Sequence, residues 1–404
     1  MKQINGGICA AKGFKASGIH AGIRKNKTKK DLSLIVSETR AAAASTYTQN
    51  LVKGAPIYVT KANIADGYAQ AIICNSGNAN TCNANGIEIA EAMCELVEKH
   101  TGISKTDVVV ASTGVIGQPL DITPIANGMD ALTKALNNDG SNDAAEGIMT
   151  TDTRKKEIAF EFEIGGKVCR IGGIAKGSGM IHPNMATMLV FVTSDVNISP
   201  EMLQKALSAD IQDSFNMISV DGDTSTNDMV SVLANGMAEN PRIEKVGADY
   251  NAFCEALSAV TTYLCRSIAK DGDGASKLLE SHVTGAKDTK NAKIIAKSVV
   301  CSSLFKAAMF GSDANWGRIL CAIGYSGAEC DVTKVAVDLA SSAGKIAVCK
   351  NGSGVDFDED FAKKVLSEDE IIIHITLGDG CGEATAWGCD LTYDYVKING
   401  DYRT

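Results

Sequence analysis

The chain has 404 residues, of which 45% are hydrophobic and 22% charged, and its formal net charge is −9. This composition is typical of a globular protein of two or three domains and excludes a disordered or fibrous chain. The acidic balance and the aromatic content of only 5% argue against nucleic acid as a partner, and no apolar run approaches the roughly 20 residues that a membrane span needs.

The cysteines and histidines indicate the cellular compartment of the protein and whether it binds a metal ion. Thirteen cysteines are scattered from Cys9 to Cys389 without a C-x-x-C pair, and the five histidines stand far apart. This pattern predicts free thiols in a reducing cytoplasm and no zinc site. The first residues, Met1 to Phe14, contain no continuous apolar segment, so no secretory signal is expected.

Strands and helices are predicted to alternate along the first two thirds of the chain. Segments rich in Val, Ile and Phe predict strands, and apolar residues at helical spacing predict helices. Ile89, Met93, Leu96 and Val97, for example, recur at helical spacing. In chain order we predict a helix over 86–100, a strand over 107–111, strands over 158–174 around a Gly165-Gly166 turn, a strand over 188–193, a helix beginning at Pro200 and a helix over 250–270.

Beyond Gly285 the sequence becomes strand-rich. The predicted strands cover 293–300, 334–338, 345–350, 370–377 and 391–398. The polar stretch 284–291 is the best candidate for a linker. We therefore predict a mixed α and β protein with a domain at 1–284 and a second at 285–404.

Five segments contain more small polar residues than packing requires: 75–80, 112–117, 150–153, 176–187 and 221–228. Taken singly, each is typical of a surface turn. None completes a dinucleotide-binding or P-loop glycine motif, an EF-hand loop or a serine-hydrolase elbow. Sites of those standard types are not predicted.

The segment 176–191 has a further chemical possibility. Ala186 and Thr187 stand at the entrance of an apolar strand. A threonine hydroxyl is a weak nucleophile without a base, but cleavage of the bond before Thr187 would create an α-amine of pKa about 7.7–8.0 on the same residue. One event would then supply both nucleophile and base. From these residues alone, an ordinary structural Ala-Thr pair stays an open alternative.

The run Ala-Lys-Gly-Ser-Gly-Met-Ile-His-Pro-Asn-Met-Ala-Thr-Met-Leu, which begins at Ala175, resembles the self-cleavage signature of the ornithine acetyltransferase family. Members of that family are glutamate N-acetyltransferases of arginine biosynthesis. Further segments resemble the family in the same order, so that the likeness covers essentially the whole chain: 6–14, 75–80, 112–114, 150–153, 221–228, 315–318 and 393–404.

The resemblance implies that the precursor cleaves itself between Ala186 and Thr187. The chains 1–186 and 187–404 would stay together, usually as an α₂β₂ heterotetramer in the cytoplasm. The implied fold is an αββα-like sandwich of the type found in DmpA-type aminopeptidases, with a strand-rich C-terminal domain.

The implied reaction is a ping-pong acetyl transfer. Thr187 takes acetyl from N-acetylornithine, ornithine leaves, and glutamate accepts the acetyl group as N-acetylglutamate. The cycle needs no cofactor, although some members also accept acetyl-CoA. The alternatives are an aminopeptidase or amidohydrolase of the DmpA type, in which water attacks the acyl-threonine, and a non-catalytic binding protein whose chain stays intact.

The resemblance also implies residue roles. Thr187 is the nucleophile, and Thr113 and Gly114 form the oxyanion hole. The implied substrate-binding residues are Thr153, Lys176, Thr187, Asp273, Asn399 and Thr404. Thr151 is near enough in sequence to be confused with Thr153, and His182 is expected to have a structural part in the cleavage loop.

One position departs from the family pattern. The family sequence Asp-Gly-Glu-Gly-Ala-Thr-Lys is here Asp-Gly-Asp-Gly-Ala-Ser-Lys, beginning at Asp271. The carboxylate of Asp273 therefore keeps its charge but loses one methylene, or about 1.5 Å of reach. Direct and water-mediated contact with substrate both stay open.

Overall fold

A computed structural model of the protein describes residues 1–26, 28–182 and 188–400. The first of its two β-sheets has nine strands. They are β1 (Lys2–Ile4), β2 (Phe14–Ile19), β3 (Leu32–Tyr47), β4 (Tyr68–Asn75), β5 (Val108–Ser112), β6 (Lys156–Ile164), β7 (Lys167–Lys176), β8 (Leu189–Ser194) and β10 (Met229–Ala234). Their order is β1-β6-β7-β8-β10-β3-β4-β5, with β2 also paired to β3.

The second sheet has seven strands and is built mainly from the C-terminal third of the chain. They are β9 (Ile218–Ser219), β11 (Leu278–Ala286), β12 (Ala336–Ser341), β13 (Gly344–Lys350), β14 (Ser353–Gly354), β15 (Glu370–Thr376) and β16 (Gly382–Cys389). Their order is β14-β13-β12-β15-β11-β16-β9.

Eleven α-helices occur in the described part of the chain. They are α1 (Ala55–Asn63), α2 (Gly86–Thr101), α3 (Thr123–Lys134), α4 (Ser141–Gly147), α5 (Pro200–Asp210), α6 (Ala248–Lys270), α7 (Thr289–Cys301), α8 (Ser303–Phe310), α9 (Trp316–Gly324), α10 (Glu359–Leu366) and α11 (Tyr393–Asn399). None of them is both long and apolar enough to cross a membrane.

Helix α6 connects the two sheets. It contacts β6 and β7 of the first sheet and β11 and β16 of the second. Its side chains Phe253, Leu257, Val260, Leu264 and Ile268 are buried in the largest apolar core, to which both sheets contribute. Helix α4 packs against β2 and β3, and helix α7 against β11 and β16. The predicted α+β class, with two sheets and covering helices, is confirmed.

Two predicted strands are wrong. The segment 293–300 lies within helix α7, and 391–398 overlaps helix α11. Both contain β-branched or aromatic residues, which resemble strand sequences over a short window. In α7 the buried residues nevertheless recur at helical spacing, and the carboxylate of Asp288 caps the helix by accepting from the backbone N–H of Asn291 at 2.8 Å.

The stretch 284–291, predicted as a linker, is also structured. Strand β11 continues to Ala286 and helix α7 begins at Thr289. A boundary at Thr284 therefore falls inside a strand that pairs with β15 and β16. In addition, Ile218 of β9 pairs with Trp387 of β16, so the second sheet takes strands from both sides of the predicted boundary.

Candidate active site

A cavity of about 120 Å³ brings together most of the predicted site residues. It lies where the loops after β5 and β7 meet the segment that precedes β10. Thr113, Gly114, Lys176, Asp273 and Asn399 all line it. Ala186, Thr187 and Thr404 lie outside the described residues, but Met188, which follows Thr187 in the chain, lines the same cavity.

Thr113 and Gly114 form one wall of the cavity directly after strand β5. The backbone N–H of Thr113 donates to the carbonyl of Asn75 at 3.0 Å, which fixes the turn. Gly114 has a φ of +127°, and a Cβ there would lie 2.8 Å from the carbonyl carbon of Gly77. Only glycine therefore fits this turn. Within the described structure no acceptor engages the N–H of Gly114, so this donor is available to a ligand.

Lys176 supplies the positive charge of the cavity. It ends strand β7, where its backbone pairs with Leu189, and it is only 8% exposed. Its Nζ donates to the hydroxyl of Thr113 at 3.5 Å, longer than an ordinary hydrogen bond. Because a buried ammonium has three donors and this one makes a single long contact to a described side chain, it can bind an anionic group.

Asp273 and Asn399 also line the cavity. Asp273 is 6% exposed, its backbone N–H donates to the carbonyl of Ser178 at 2.8 Å, and its Oδ2 accepts from the Asn399 amide at 3.0 Å. Its other oxygen, Oδ1, is buried without a partner among the described residues. A Cβ on Gly179 would lie 2.2 Å from Oδ2, so glycine is what allows the carboxylate to approach. Asn399 belongs to α11, which makes the C-terminal helix part of the site.

The structure does not place Thr153 in this cavity. Its hydroxyl and backbone N–H both donate to the carboxylate of Asp271, and it lines a neighbouring cavity. Thr150 and Thr151 line the main cavity instead, and the hydroxyls of Thr151 and Ser178 are 2.6 Å apart. Thr150 and Thr151, and not Thr153, therefore line the main cavity, and a substrate-binding role for any of the three stays a prediction. In an irregular turn, sequence cannot show which of several nearby hydroxyls faces inward.

A buried ion-pair cluster holds these segments in place. The Nζ of Lys156 lies 2.6 Å from Asp152 and 2.5 Å from Asp271. Asp152 also accepts from the backbone N–H of Gly177 at 2.7 Å. Burial alone would raise the pKa of Asp152, but the charges of Lys156 and Lys176 outweigh it and hold this pKa well below its usual range. The cluster thus links the turn at 150–153, the end of β7 and the end of α6.

His182 contacts other residues of the protein and is not among the residues that line the cavity. Its Nδ1 lies 3.1 Å from the hydroxyl of Ser219, and its carbonyl accepts from the Thr224 hydroxyl at 2.8 Å. Burial, assisted by the charge of Lys297, lowers the pKa of His182 to about 4, so the ring is neutral at physiological pH. These contacts fit a structural part in the loop.

The segment 225–228 supplies site residues to which the sequence analysis gave no role. The amide of Asn227 donates to the carbonyls of Ala79 and Ser112, at 2.5 and 3.0 Å, and so joins two cavity loops. Asp228 lines the cavity, is 2% exposed, and has an Oδ2 without a partner among the described residues. One feature of the sequence could have identified Asp228: it is an acidic residue directly before an apolar strand, β10, which is wholly buried.

Burial raises the pKa of Asp228 well above its ordinary value, although hydrogen bonding by Ser225 and the charge of Lys176 offset part of the effect. The described residues that line the cavity therefore include one cation, Lys176, and two carboxyl groups, Asp228 and Asp273. Over the described residues, no group of three His, Cys, Asp or Glu side chains is placed to hold a metal ion.

Comparison with known proteins identifies the family. The model of the ArgJ family matches residues 15–404. The arginine biosynthesis bifunctional protein ArgJ of Caldanaerobacter subterraneus is 50% identical over 405 residues, which is 100% of both chains. That of Bacillus subtilis is 48% identical over 404 residues, covering 100% of this chain and 98% of its own.

A solved structure agrees with these relatives. The crystal structure of the arginine biosynthesis bifunctional protein from Bacillus halodurans is 48% identical, with a TM-score of 0.50. The match covers 53% of this chain and 99% of that chain. Both the family model and the two full-length relatives agree with the resemblance seen in the sequence motifs, and the chain therefore belongs to the ArgJ family.

Proposed function

We propose that the protein transfers an acetyl group from N-acetylornithine to glutamate through an acetyl ester on Thr187, after cleaving its own chain between Ala186 and Thr187. The products are ornithine and N-acetylglutamate. The coarser statement follows from family membership: the chain is an acyltransferase of arginine biosynthesis. The donor, the acceptor, the ester and the cleavage are the proposal.

The arrangement of charge along the cavity carries the proposal. Lys176, with one long hydrogen bond, and Asp273, whose Oδ1 has no partner among the described residues, both line the cavity. N-acetylornithine has a matching pair of charges, an α-carboxylate and a side-chain ammonium. A carboxylate bound by Lys176 and an ammonium bound by Asp273 would satisfy both buried groups.

The remaining walls suit the reacting acetyl group. The free N–H of Gly114 and the hydroxyl of Thr113 can donate to the oxygen that becomes negative in a tetrahedral intermediate. Met188, Leu189 and Ile116 supply apolar surface for the methyl group. The nucleophile proposed is Thr187, adjacent in the chain to Met188.

Glutamate would bind in the second half of the cycle with its α-carboxylate again on Lys176. It has no side-chain ammonium, so its second carboxylate needs donors rather than an acid. The hydroxyl of Thr151 is a donor on the lining of the cavity. A donor and an acceptor in one cavity can serve both substrates in turn.

The proposed self-cleavage accounts for the length of the solved relative. The Bacillus halodurans chain is matched over 99% of its length, yet it covers only 53% of this chain. A chain of residues 187–404 would likewise span slightly more than half of the 404 residues. We propose that both products remain together as an α₂β₂ assembly and that the cycle needs no cofactor. The thirteen free thiols fit a cytoplasmic location.

The experiment compares purified protein with two variants at the nucleophile. Incubation with N-acetylornithine and glutamate should release ornithine and N-acetylglutamate in equal amounts. Thr187→Ala should stay uncleaved and inactive, whereas Thr187→Ser, which keeps a hydroxyl, should retain cleavage. Active, two-chain Thr187→Ala protein would refute the assignment.

The same assay separates transfer from hydrolysis. A hydrolase of this fold would release acetate whether or not glutamate is present, because water would attack the acetyl ester. Substituting acetyl-CoA for N-acetylornithine in a parallel reaction determines whether the thioester is a second donor.

A further inference from the structure

Two of the cavity's carboxylate oxygens are buried without a hydrogen-bond partner. In the described part of the chain, four buried side-chain oxygens or nitrogens lack a partner, and Oδ2 of Asp228 and Oδ1 of Asp273 are two of them. Both residues line the same small cavity. A buried polar atom left unpaired forfeits its hydration without compensation, so these two oxygens indicate where polar groups of a ligand bind.

The two carboxyl groups have different neighbours in the fold. Asp273 lies against Gly179 and Asn399. Asp228 directly precedes β10, which runs parallel to β8 with Met229 paired to Leu189. The backbone N–H of Met229 donates to the carbonyl of Met188 at 2.9 Å. Asp228 therefore lies at the start of β8 beside Met188, the residue that follows the proposed nucleophile in the chain.

We propose that Asp228 is a further catalytic residue of the acetyl transfer, the acid that gives a proton to the departing amine of the donor. The inference rests on the proposed function, and it assigns a role that the nucleophile and the oxyanion hole leave open. An amine is a poor leaving group, because its nitrogen must gain a proton as the carbon–nitrogen bond breaks.

The proton balance closes over the two half-reactions. In the first, the threonine hydroxyl gives its proton to the α-amine, its oxygen bonds to the acetyl carbon, and Asp228 protonates the departing nitrogen. The acyl-enzyme then holds an ammonium and the Asp228 carboxylate. In the second, the carboxylate removes a proton from the attacking amine of glutamate, and the ammonium returns its proton to the threonine oxygen as the ester breaks.

The surroundings of Asp228 support an acid that keeps its proton in the empty site. Burial raises its pKa well above the ordinary value. From β7, Lys176 is the charged group that acts on it and lowers this pKa in part, and from the same loop Ser225 contributes a hydrogen bond. Thr48, which directly follows β3, contributes a backbone N–H that donates to the Asp228 main-chain carbonyl at 3.0 Å. Asp273 is the other carboxyl group among the described residues that line the cavity.

The test compares two acetyl donors that differ in their leaving groups. The acetyl adduct is measured by intact mass as a function of time, without acceptor, for N-acetylornithine and for p-nitrophenyl acetate, with Thr187→Ala giving the background labelling. The phenolate of the ester departs without a proton. Asp228→Asn should acylate about 100-fold or more slowly with the amide and within about threefold of normal with the ester.

Asp210→Asn is the matched control. Burial raises the pKa of Asp210 to about 6, but this residue ends α5 outside the cavity and accepts from Ser214. It should acylate normally with both donors. If Asp228→Asn slows acylation equally with the two donors, Asp228 has only a structural role. If acylation is normal with both donors, Asp228 has no role in the reaction. Either result overturns the proposal.

The unmodified protein gives a second test if Asp228→Asn fails to fold or to cleave itself. The rate of acylation by the amide should fall at high pH, where Asp228 loses its proton, whereas the rate with the ester should not. Identical pH profiles for the two donors would overturn the role. No adduct from either donor would instead refute the proposed function, and this role with it.

Discussion

Replacing Lys156 by methionine tests the buried cluster on which the site is built. Its side chain is 2% exposed and lies between the carboxylates of Asp152 and Asp271, whose side chains are 0% and 6% exposed. Methionine has a similar length but no charge. The substitution therefore leaves two negative charges close together, inside the protein and without their cation.

The cost follows from the burial of all three groups. Removing one partner of a buried ion pair typically costs about 3–5 kcal/mol, because the charge left behind is neither hydrated nor paired. At 1.4 kcal/mol per tenfold, this is a loss of more than 100-fold in the folding equilibrium. Asp271 also holds Thr153, and Asp152 holds the N–H of Gly177, so the turn and the end of β7 should loosen as well.

Urea unfolding of the Thr187→Ala protein measures this cost, since that background is expected to keep the chain in one piece. Lys155→Met is the matched control, because Lys155 is the exposed neighbour of Lys156 and should change the free energy of unfolding by less than about 0.5 kcal/mol. A cost below about 1 kcal/mol for Lys156→Met would refute the view that the cluster supports the site.

The free energy of unfolding should depend on pH in a direction that follows from the pKa of Asp152. In the unmodified protein the pKa of Asp152 is held below its usual range, so its stabilising contribution is present at neutral pH and is lost as the pH falls through that lowered value. Without Lys156, burial should raise this pKa instead, and acid should relieve the strain by protonating a carboxylate. The stability difference between the two proteins should therefore shrink as the pH falls from 7 towards 4.

Three further substitutions test the walls of the cavity. Asp273→Asn should raise the KM for N-acetylornithine about 10- to 100-fold by removing a charge-assisted hydrogen bond, and should leave N-acetylnorvaline, which lacks the ammonium, unaffected; equal changes for both donors would contradict this. Gly179→Ala should reproduce that KM effect, because its Cβ would lie 2.2 Å from Oδ2 of Asp273, and an unchanged KM would show that the carboxylate can shift without loss. Thr113→Ala should lower kcat for both self-cleavage and transfer about 10²- to 10³-fold, and a change below tenfold in either rate would argue against an oxyanion donor.

Local sequence predicted the secondary structure correctly where a single pattern of apolar residues dominated a segment. The β6–β7 hairpin was predicted from two apolar runs around Gly165 and Gly166, and both glycines have positive φ, at +56° and +75°. Helix α2 was predicted from its apolar stripe and ends where expected, near His100. Residues 293–300 and 391–398 were misassigned because about eight residues rich in β-branched or aromatic side chains fit either a strand or one buried helix face.

The site was predictable to the extent that its residues belong to recognisable motifs. Thr113, Gly114, Lys176, Asp273 and Asn399 are far apart in sequence, and the fold brings all five to one cavity. Which threonine of the turn at 150–153 faces that cavity depends on side-chain directions in irregular backbone, which no periodicity encodes. Asp228 was missed for a different reason: its burial and its unpaired oxygen result from packing between β10, β8 and the loop after β5, and these are distant in sequence.

In the proposed mechanism, Thr187 becomes the N-terminal nucleophile of a second chain and carries the acetyl group. Intact mass and N-terminal sequencing of freshly purified protein, repeated after brief incubation with N-acetylornithine, test both steps. We expect two chains, one of which begins Thr187-Met188-Leu189 and gains a single acetyl group on incubation. One uncleaved chain of 404 residues that gains no acetyl group would contradict it.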